Sequence, residues 1–252
     1  MDNYGQYDRE RYLILKNIPK ELRKVLKENR AYVAGGSITS VFSNQKINDY
    51  DIYFSELSKM NNVLNFLQEN WSLEPVVSTE NSETFEIFTP IENKIDIQGN
   101  PEKINIQIIT RQNCIGIIKS VISLFDFTIV QAAYSFEFDH FVFINENVFL
   151  KHLIQKRLVF NIKTPFPISS LIRIKKYLDR GYSINGIELI KMALLIRDTE
   201  IDTYEDFKIA INGVDDAILK DFFENNPENE AFNTHKAIEK LDMYIGKLFE
   251  ID

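Results

Sequence analysis

The chain has 252 residues and a formal net charge of −8, with 44% hydrophobic and 26% charged residues. These values are typical of a globular chain with one large or two small domains, and no apolar run is long enough to span a membrane. The N-terminal residues lack the layout of a signal peptide, and the single cysteine (Cys114) excludes an internal disulfide and a cysteine zinc site, so we expect a cytoplasmic protein with no membrane or disulfide partner.

The first part of the chain alternates predicted helices and strands, whereas the rest is predicted to be helical. Residues 7–29 are predicted to be helical with an interruption at Pro19, and Ser55 is predicted to cap another helix. Strands are predicted at 73–77, 84–89, 104–110 and 136–144, and helices at 115–124, 146–158, 169–180, 186–197, 203–211, 214–225 and 228–249. Segment 93–99 fits a hairpin piece or an insertion. Thr203 and Asp206 have the spacing of a capping box, and Gly181 is predicted to end a helix as a C-cap residue in the left-handed conformation.

This order predicts an α+β fold in two domains. Residues 1–144 would form a small mixed β-sheet flanked by helices, and residues 145–252 an all-helical C-terminal half.

The residues from Gly35 to Asp51 carry the clearest chemical pattern. Gly35-Gly36-Ser37 follow a short apolar strand, and Asp49 and Asp51 are alternate residues of the next strand, so both carboxylates share a sheet face. Their mutual repulsion favours a shared divalent cation, and Mg²⁺ prefers one or two carboxylates plus substrate phosphates. The glycines let the backbone approach a ligand, and the start of the helix at Ser37 favours an anion. The alternative to a metal and phosphate site is a glycine turn followed by an edge strand with two solvated aspartates.

Gly-Gly-Ser, eleven intervening residues and Asp-Tyr-Asp resemble the signature of the DNA polymerase β-like nucleotidyltransferases. The resemblance implies a nucleotidyltransferase head domain in residues 1–144. It implies that Asp49 and Asp51 are catalytic and bind Mg²⁺ or Mn²⁺. It also implies that Gly35, Gly36 and Ser37 contact a nucleoside triphosphate, with ATP or CTP favoured.

A second motif, residues 125–134, is similar to the Arg-Asp-Phe-Thr-Ile-Asn-Ala-Leu-Ala motif of class II CCA-adding enzymes and bacterial poly(A) polymerases. The resemblance implies that Asp126 orients the ribose or the incoming nucleotide and that a helix follows it. Phe125 and Val130 replace the Arg and Asn of that motif. The alternative is that Asp126 only caps a buried helix.

A third motif, residues 171–182, resembles the Arg-x-x-Arg-Phe helix in the neck of the same enzymes. Arg173, Lys176 and Arg180 would share one helix face, with a buried apolar stripe of Leu171, Ile174 and Leu178 behind it. The resemblance implies that Arg173 and Lys176 lie beside the nucleotide.

The charge distribution gives the neck segment a second interpretation. Residues 151–180 contain eight basic residues and one acidic residue, a local charge of +7. Inside an acidic protein such a segment indicates a focused anion site, and the alternative is a solvated basic helix face.

Two departures limit the resemblance to the CCA-adding enzymes. Many relatives carry a third carboxylate on a neighbouring strand, whereas Gln107 occupies the expected position here, and Glu86 and Asp96 are the other acidic residues on nearby strand-like segments. The Glu-Asp-x-x-Arg sequence that selects C and then A is missing, as are long tRNA-binding tails. The chain therefore looks like a compact member of the kind found in phages or in toxin and defence systems.

The predicted activity is Mg²⁺-dependent transfer of NMP from an NTP to an acceptor hydroxyl, with release of pyrophosphate. The favoured acceptor is a tRNA-like RNA 3′ end. A protein side chain or a small alcohol would use the same core. Two other hypotheses remain: a catalytically silent nucleotide-binding module, and an interaction protein whose acidic segment 181–252 docks a basic partner.

Overall fold

The computed structural model describes residues 5–79, 81–89, 102–211 and 231–239. The chain divides into two compact units between Asn161 and Ile162, later than the boundary expected at residue 144. The boundary lies later because the helix Glu146–Ile154 belongs to the first unit, where the ring of Phe149 packs against the rings of Phe42 and Phe143. The expected segment 93–99, the expected helix 214–225 and most of the expected helix 228–249 fall outside the described residues.

The first unit is built around a seven-stranded mixed sheet. Its elements in chain order are α1 (Asp8–Leu15), α2 (Lys20–Glu28), β1 (Tyr32–Ala34), α3 (Gly36–Phe42), β2 (Asp49–Tyr53), α4 (Leu57–Asn65), β3 (Val77–Thr79), β4 (Ser82–Phe88), β5 (Lys103–Ile109), α5 (Ile118–Ile122), β6 (Ala132–Ser135), β7 (His140–Phe143), α6 (Glu146–Ile154) and β8 (Arg157–Leu158). The strand order is β3-β4-β5-β2-β1-β6-β7; β2 and β5 are parallel and the other neighbours antiparallel. The predicted α+β fold with a mixed sheet is confirmed.

Strand alternation divides the sheet into two faces. One face is a continuous apolar core, because every second residue of the central strands is buried there: Val33, Tyr50, Ile52, Phe85, Ile104, Ile106 and Ile108. On the other face, Tyr32, Ala34 and Ala133 pack against Val121 and Ile122 of α5. We call the part of this second face formed by β2, β5 and β4 the polar face, because it carries Asp49, Asp51, Asn105, Gln107 and Thr84.

Helix α1 is fixed to the β6–β7 hairpin by an ion pair. Arg11 donates from Nε to Oδ1 of Asp139 at 2.7 Å and also bonds Oδ2, and the Tyr134 hydroxyl donates to the same carboxylate. Burial raises the pKa of Asp139, but the hydrogen bonds from Arg11 and Tyr134 outweigh it, so the pKa of this carboxyl lies below its usual value. The pair therefore stabilises the folded state most at neutral pH.

Several local predictions for the first unit were wrong. The residue before α4 is Glu56, not Ser55, and it makes no side-chain cap. The segment after Asp126 forms one 3-10 turn (Thr128–Val130) and then β6, so Asp126 caps no helix. Within the expected strand 136–144 only β7 is extended. Short apolar runs fit a buried strand as well as a buried helix, and the pairing with β1 selects the strand.

The second unit is helical where it is described. It contains α7 (Pro167–Asp179), the short strand β9 (Ser183–Ile184), α8 (Gly186–Arg197) and α9 (Tyr204–Ala210). The capping box is confirmed, since Thr203 Oγ1 accepts from the Asp206 N–H and Oδ2 of Asp206 accepts from the Thr203 N–H. Gly181 adopts φ +82° after α7, as predicted for a C-cap. Among all described helices, none combines the length and apolarity of a membrane span.

The buried face of α7 differs from the predicted stripe. Leu171 and Leu178 are each 46% exposed. The buried residues are Pro167, Ser169, Ser170, Ile174 and Tyr177, and all of them except Ser169 recur at the spacing of one helix face. The serines can be buried because their hydroxyls are satisfied: Ser169 donates to the Ala210 carbonyl and Ser170 to the Phe166 carbonyl.

Candidate active site

The two aspartates project from the polar face near the middle of the sheet. Asp49 is exposed and Asp51 half-buried, whereas Tyr50 and Ile52 are fully buried on the opposite face. The predicted alternation of polar and buried residues is therefore observed in β2. Burial raises the pKa of Tyr50 to about 12, so this phenol keeps its proton at neutral pH.

The glycine turn lies directly beside Asp51. Gly35 has φ +79° and ψ −131°, a conformation that L side chains rarely adopt, and it immediately precedes α3. A Cβ built on Gly35 would lie 4.0 Å from Oδ2 of Asp51 and 3.5 Å from Cε2 of Phe125. A Cβ on Gly36 would meet nothing within 4 Å. The turn thus presents bare backbone next to a carboxylate, with open space at the second glycine.

Hydrogen bonds fix this turn to the second motif. The Gly35 N–H donates to the Ala132 carbonyl at 3.2 Å, and Thr39 Oγ1 donates to the Ile129 carbonyl at 2.6 Å. Ser37 is buried, and its hydroxyl lies 3.4 Å from the Ala34 carbonyl. The first N–H groups of an α-helix have no carbonyl partner within the helix, so Gly36 and Ser37 offer backbone donors at the start of α3.

The segment carrying Asp126 is held next to the same turn. Phe125 packs against Gly35, and its ring centroid lies 5.8 Å from that of Tyr53. Asp126 is 96% buried, with 4% relative exposure, and its carbonyl accepts from the Asn161 N–H at 2.7 Å. The Asn161 side chain donates to two further carbonyls of the segment, those of Ser123 and Phe125, at 2.7 and 2.8 Å.

Sequence reasoning missed two of these residues. Tyr53 follows Asp51 by two positions, so the alternation of β2 predicts that it lies on the same face of the sheet. Its ring stacks on that of Tyr32. The role of Asn161 could not be predicted from the sequence, because it arises only where the folded chain brings Asn161 next to the Asp126 segment.

The expected third acidic position is filled by amides. Gln107 of β5 pairs in register with Asp51, and Asn105 pairs with Asp49. Glu86 lies one strand further away, opposite Asn105, where it forms an ion pair with Lys103 at 2.6 Å. Asp96 lies outside the described residues. Within the described ranges, no cluster of three or more His, Cys, Asp and Glu side chains could hold a metal.

The predicted cations belong to α7 in the second unit. Arg173 is half-buried, Lys176 is exposed, and Arg180 follows at the C-cap. Their spacing puts them on one side of the helix, as predicted. The exposed basic residues of the preceding segment are Lys151, Lys156, Arg157 and Lys163.

A family model described as Gabija anti-defense 2 family protein matches residues 8–156. This match covers more than half of the chain, including the glycine turn, both aspartates and the Asp126 segment. The chain belongs to the Gabija anti-defense 2 family. A relative named Gabija anti-defense 2, from Bacillus phage SPbetaL7, is 34% identical over 242 residues, which are 96% of this chain and 56% of the relative. The chain therefore spans little more than half the length of that relative.

Solved structures with a similar fold include tRNA-processing and CCA-adding enzymes. A tRNA-processing enzyme in an apo form matches with a TM-score of 0.51 and 15% identity, over 91% of this chain and 57% of that chain. A CCA-adding enzyme in complex with ATP matches with a TM-score of 0.51 and 16% identity, over 92% and 53%. At this identity the likeness shows the fold alone.

The donor set of the polar face suits a hard divalent cation. Asp49 and Asp51 supply carboxylate oxygens, and the neighbouring strand adds the amides of Asn105 and Gln107. Mg²⁺ binds to proteins through one or two carboxylates and completes its shell with substrate phosphates and water. The residues present therefore fit a metal that arrives together with a triphosphate.

Proposed function

We propose that this protein is a nucleotidyltransferase that moves NMP from an NTP to an acceptor hydroxyl. The observation that carries the proposal is the 4.0 Å between Oδ2 of Asp51 and the Cβ position of Gly35. At this separation one triphosphate can contact the glycine backbone while its metal contacts the carboxylates. In the reaction, the acceptor hydroxyl loses its proton to water and its oxygen bonds to the α-phosphorus. The bond from the α-phosphorus to the oxygen that bridges to the β-phosphate breaks, and pyrophosphate leaves with that electron pair.

Each of the predicted site residues would have one role in binding the NTP and the metal. The N–H groups of Gly36 and Ser37 would bind the β- and γ-phosphates, since nothing fills the space at Gly36. Asp126, held by Asn161, would orient the ribose. Asp49 and Asp51 would hold Mg²⁺ or Mn²⁺, which when bound neutralises phosphate charge and lowers the pKa of the acceptor hydroxyl.

Arg173 and Lys176 are proposed to bind the α-phosphate region or the base. Their support is their spacing on α7 and the resemblance of that helix to the neck helix of the CCA-adding enzymes. Cations at this place would stabilise the negative charge of the transferring group.

An RNA 3′ end is the proposed acceptor, with ATP or CTP as the donor. The segment 151–180, with its local charge of +7, offers phosphate contacts through exposed side chains. The name of the family and of its phage relative, Gabija anti-defense 2, supports a role in countering a host defence. A hydroxyl of a host protein is the competing acceptor.

The test is incubation of the protein with each [α-³²P]NTP, Mg²⁺ and cell extract, followed by treatment of parallel samples with ribonuclease or protease. Label that ribonuclease removes supports an RNA acceptor, and label that only protease removes identifies a protein acceptor instead. No label above that of a protein-free control, with every NTP, would contradict nucleotidyl transfer.

A second candidate function is nucleotide binding without turnover. Gln107 beside Asp51 and Phe125 next to the glycine turn favour it, because the resemblance to the nucleotidyltransferases and CCA-adding enzymes implies a charged side chain at each of these positions. ATP with Mg²⁺ would then raise the melting temperature without yielding pyrophosphate.

A further inference from the structure

Gln107 occupies the strand position immediately next to Asp51. β5 runs parallel to β2, and the register pairs Asp51 with Gln107. Ile106 and Ile108 are fully buried in the apolar core, so the alternate residue Gln107 projects from the polar face with the two aspartates. Neighbouring strands are about 4.8 Å apart, a spacing at which side chains of two strands can bind one cation.

A hydrogen-bond network orients the Gln107 amide. Its Nε2 donates to Ser82 Oγ at 2.8 Å, and Ser82 belongs to β4, on the side of β5 away from β2. Thr79 Oγ1 lies 3.2 Å from both the Ser82 carbonyl and Ser82 Oγ. Thr79 Oγ1 also accepts from the N–H groups of Asn81 and Ser82, so its own proton is the one it has to offer to the Ser82 carbonyl or hydroxyl. Ser82 is buried, and its Oγ accepts from Gln107 Nε2 in either case.

The hydrogen bond to Ser82 engages the donor end of the Gln107 amide. Nε2 is held by β4, on the side of β5 away from Asp51, whereas Oε1 is the acceptor end of the same amide and is not the atom bonded to Ser82. Glutamine carbonyl oxygens are ligands of hard divalent cations.

We infer that Gln107 is the third protein ligand of the metal and that it binds through Oε1, in place of a third carboxylate. The inference rests on the proposed nucleotidyltransferase function and specifies its metal site. A set of two carboxylates and one amide carries one negative charge less than a set of three carboxylates. The protein would therefore bind the metal weakly by itself and tightly with the triphosphate, which supplies the missing charge.

The test measures Mn²⁺ binding by electron paramagnetic resonance of the free ion, without nucleotide and with a non-hydrolysable ATP analogue. Gln107→Glu keeps the side-chain shape, adds a charge, and should bind Mn²⁺ alone about tenfold more tightly than the wild type. Gln107→Leu keeps the volume, removes the ligand, and should bind about tenfold more weakly. Ser82→Ala, which frees the amide, should also weaken binding by about tenfold.

Gln155→Glu is the matched control, because this exposed glutamine at the C-terminal end of α6 receives the same added charge on another element. Its affinity for Mn²⁺ should equal that of the wild type. Circular dichroism of each variant checks the fold, and a variant that fails to fold leaves the other two to decide.

The outcomes separate this inference from the proposed function. Mn²⁺ affinity that is unchanged in Gln107→Leu and not increased in Gln107→Glu would overturn the inference, since it would mean that the amide presents its NH₂ group to Asp51. The proposed function would still stand if Asp51→Asn abolished binding. If the wild type bound no Mn²⁺ even with the analogue, the proposed function itself would fail.

Discussion

Replacing each glycine of the turn by alanine should have opposite effects on stability. Gly35 has φ +79° and ψ −131°, and a non-glycine residue forced into such a region costs about 1–3 kcal/mol. The new Cβ would be in ordinary contact with Phe125 and Asp51, at 3.5 and 4.0 Å, so the backbone conformation dominates the cost. For a unit of this size, Gly35→Ala should lower the melting temperature of the first unit by about 2–12 °C.

Gly36→Ala is the control for this experiment. Gly36 is the first residue of α3 and its Cβ would meet nothing, so the substitution should leave the free energy of unfolding unchanged or raise it by up to about 1 kcal/mol. It should nevertheless reduce NTP-induced stabilisation, since the methyl group would enter the proposed phosphate site. Differential scanning calorimetry with and without Mg²⁺-ATP measures both effects. A Gly35→Ala protein as stable as the wild type, or less affected than Gly36→Ala, would refute the assigned roles.

Three further substitutions test other parts of the structure. Asn161→Ala should lower the free energy of unfolding by about 0.5–1.5 kcal/mol, because it removes hydrogen bonds to the half-buried carbonyls of Ser123 and Phe125, the second of which keeps its bond from Gln131. It should also weaken Mg²⁺-ATP binding in calorimetry by loosening the segment of Asp126. Asp139→Asn should lower the free energy of unfolding at pH 7 by only about 0.5–1 kcal/mol, because the ion pair with Arg11 is partly solvated. The pKa of Asp139 is lower in the folded than in the unfolded state, so the wild type is more stable than the variant by this full amount above the unfolded pKa of about 3.9. Urea titrations should show the difference disappear as the pH falls through the folded-state pKa. Thr203→Ala should destabilise the second unit by about 1 kcal/mol in thermal melts, through loss of the capping box, and an unchanged melting temperature would contradict that role.

Patterns that depend on local periodicity predicted the placement of the two aspartates well. The two-residue period of a strand is sufficient to place Asp49 and Asp51 on one face, and the structure has this arrangement. The resemblance to the nucleotidyltransferases placed Gln107 on the strand beside them, and the parallel register of β5 pairs Gln107 with Asp51. The capping box at Thr203 was also readable, because it depends only on residues three positions apart.

Features that depend on distant parts of the chain were predicted poorly. The run after Asp126 is apolar enough for a helix or a strand, and only its pairing with β1 decides for β6. The support of Asp126 by Asn161 joins residues 35 positions apart, and no local pattern reports it. The boundary between the units depends in the same way on Phe149 packing back onto the first unit.

The central claim is that Asp49 and Asp51 together support nucleotidyl transfer. The most direct measurement compares the Mg²⁺-dependent transfer of label from [α-³²P]NTP into extract by the wild type, Asp49→Asn, Asp51→Asn and the exposed-site control Asp198→Asn. The account predicts label with the wild type and with the Asp198 variant, and none above background with the other two. Label at the wild-type level from either β2 variant would contradict it.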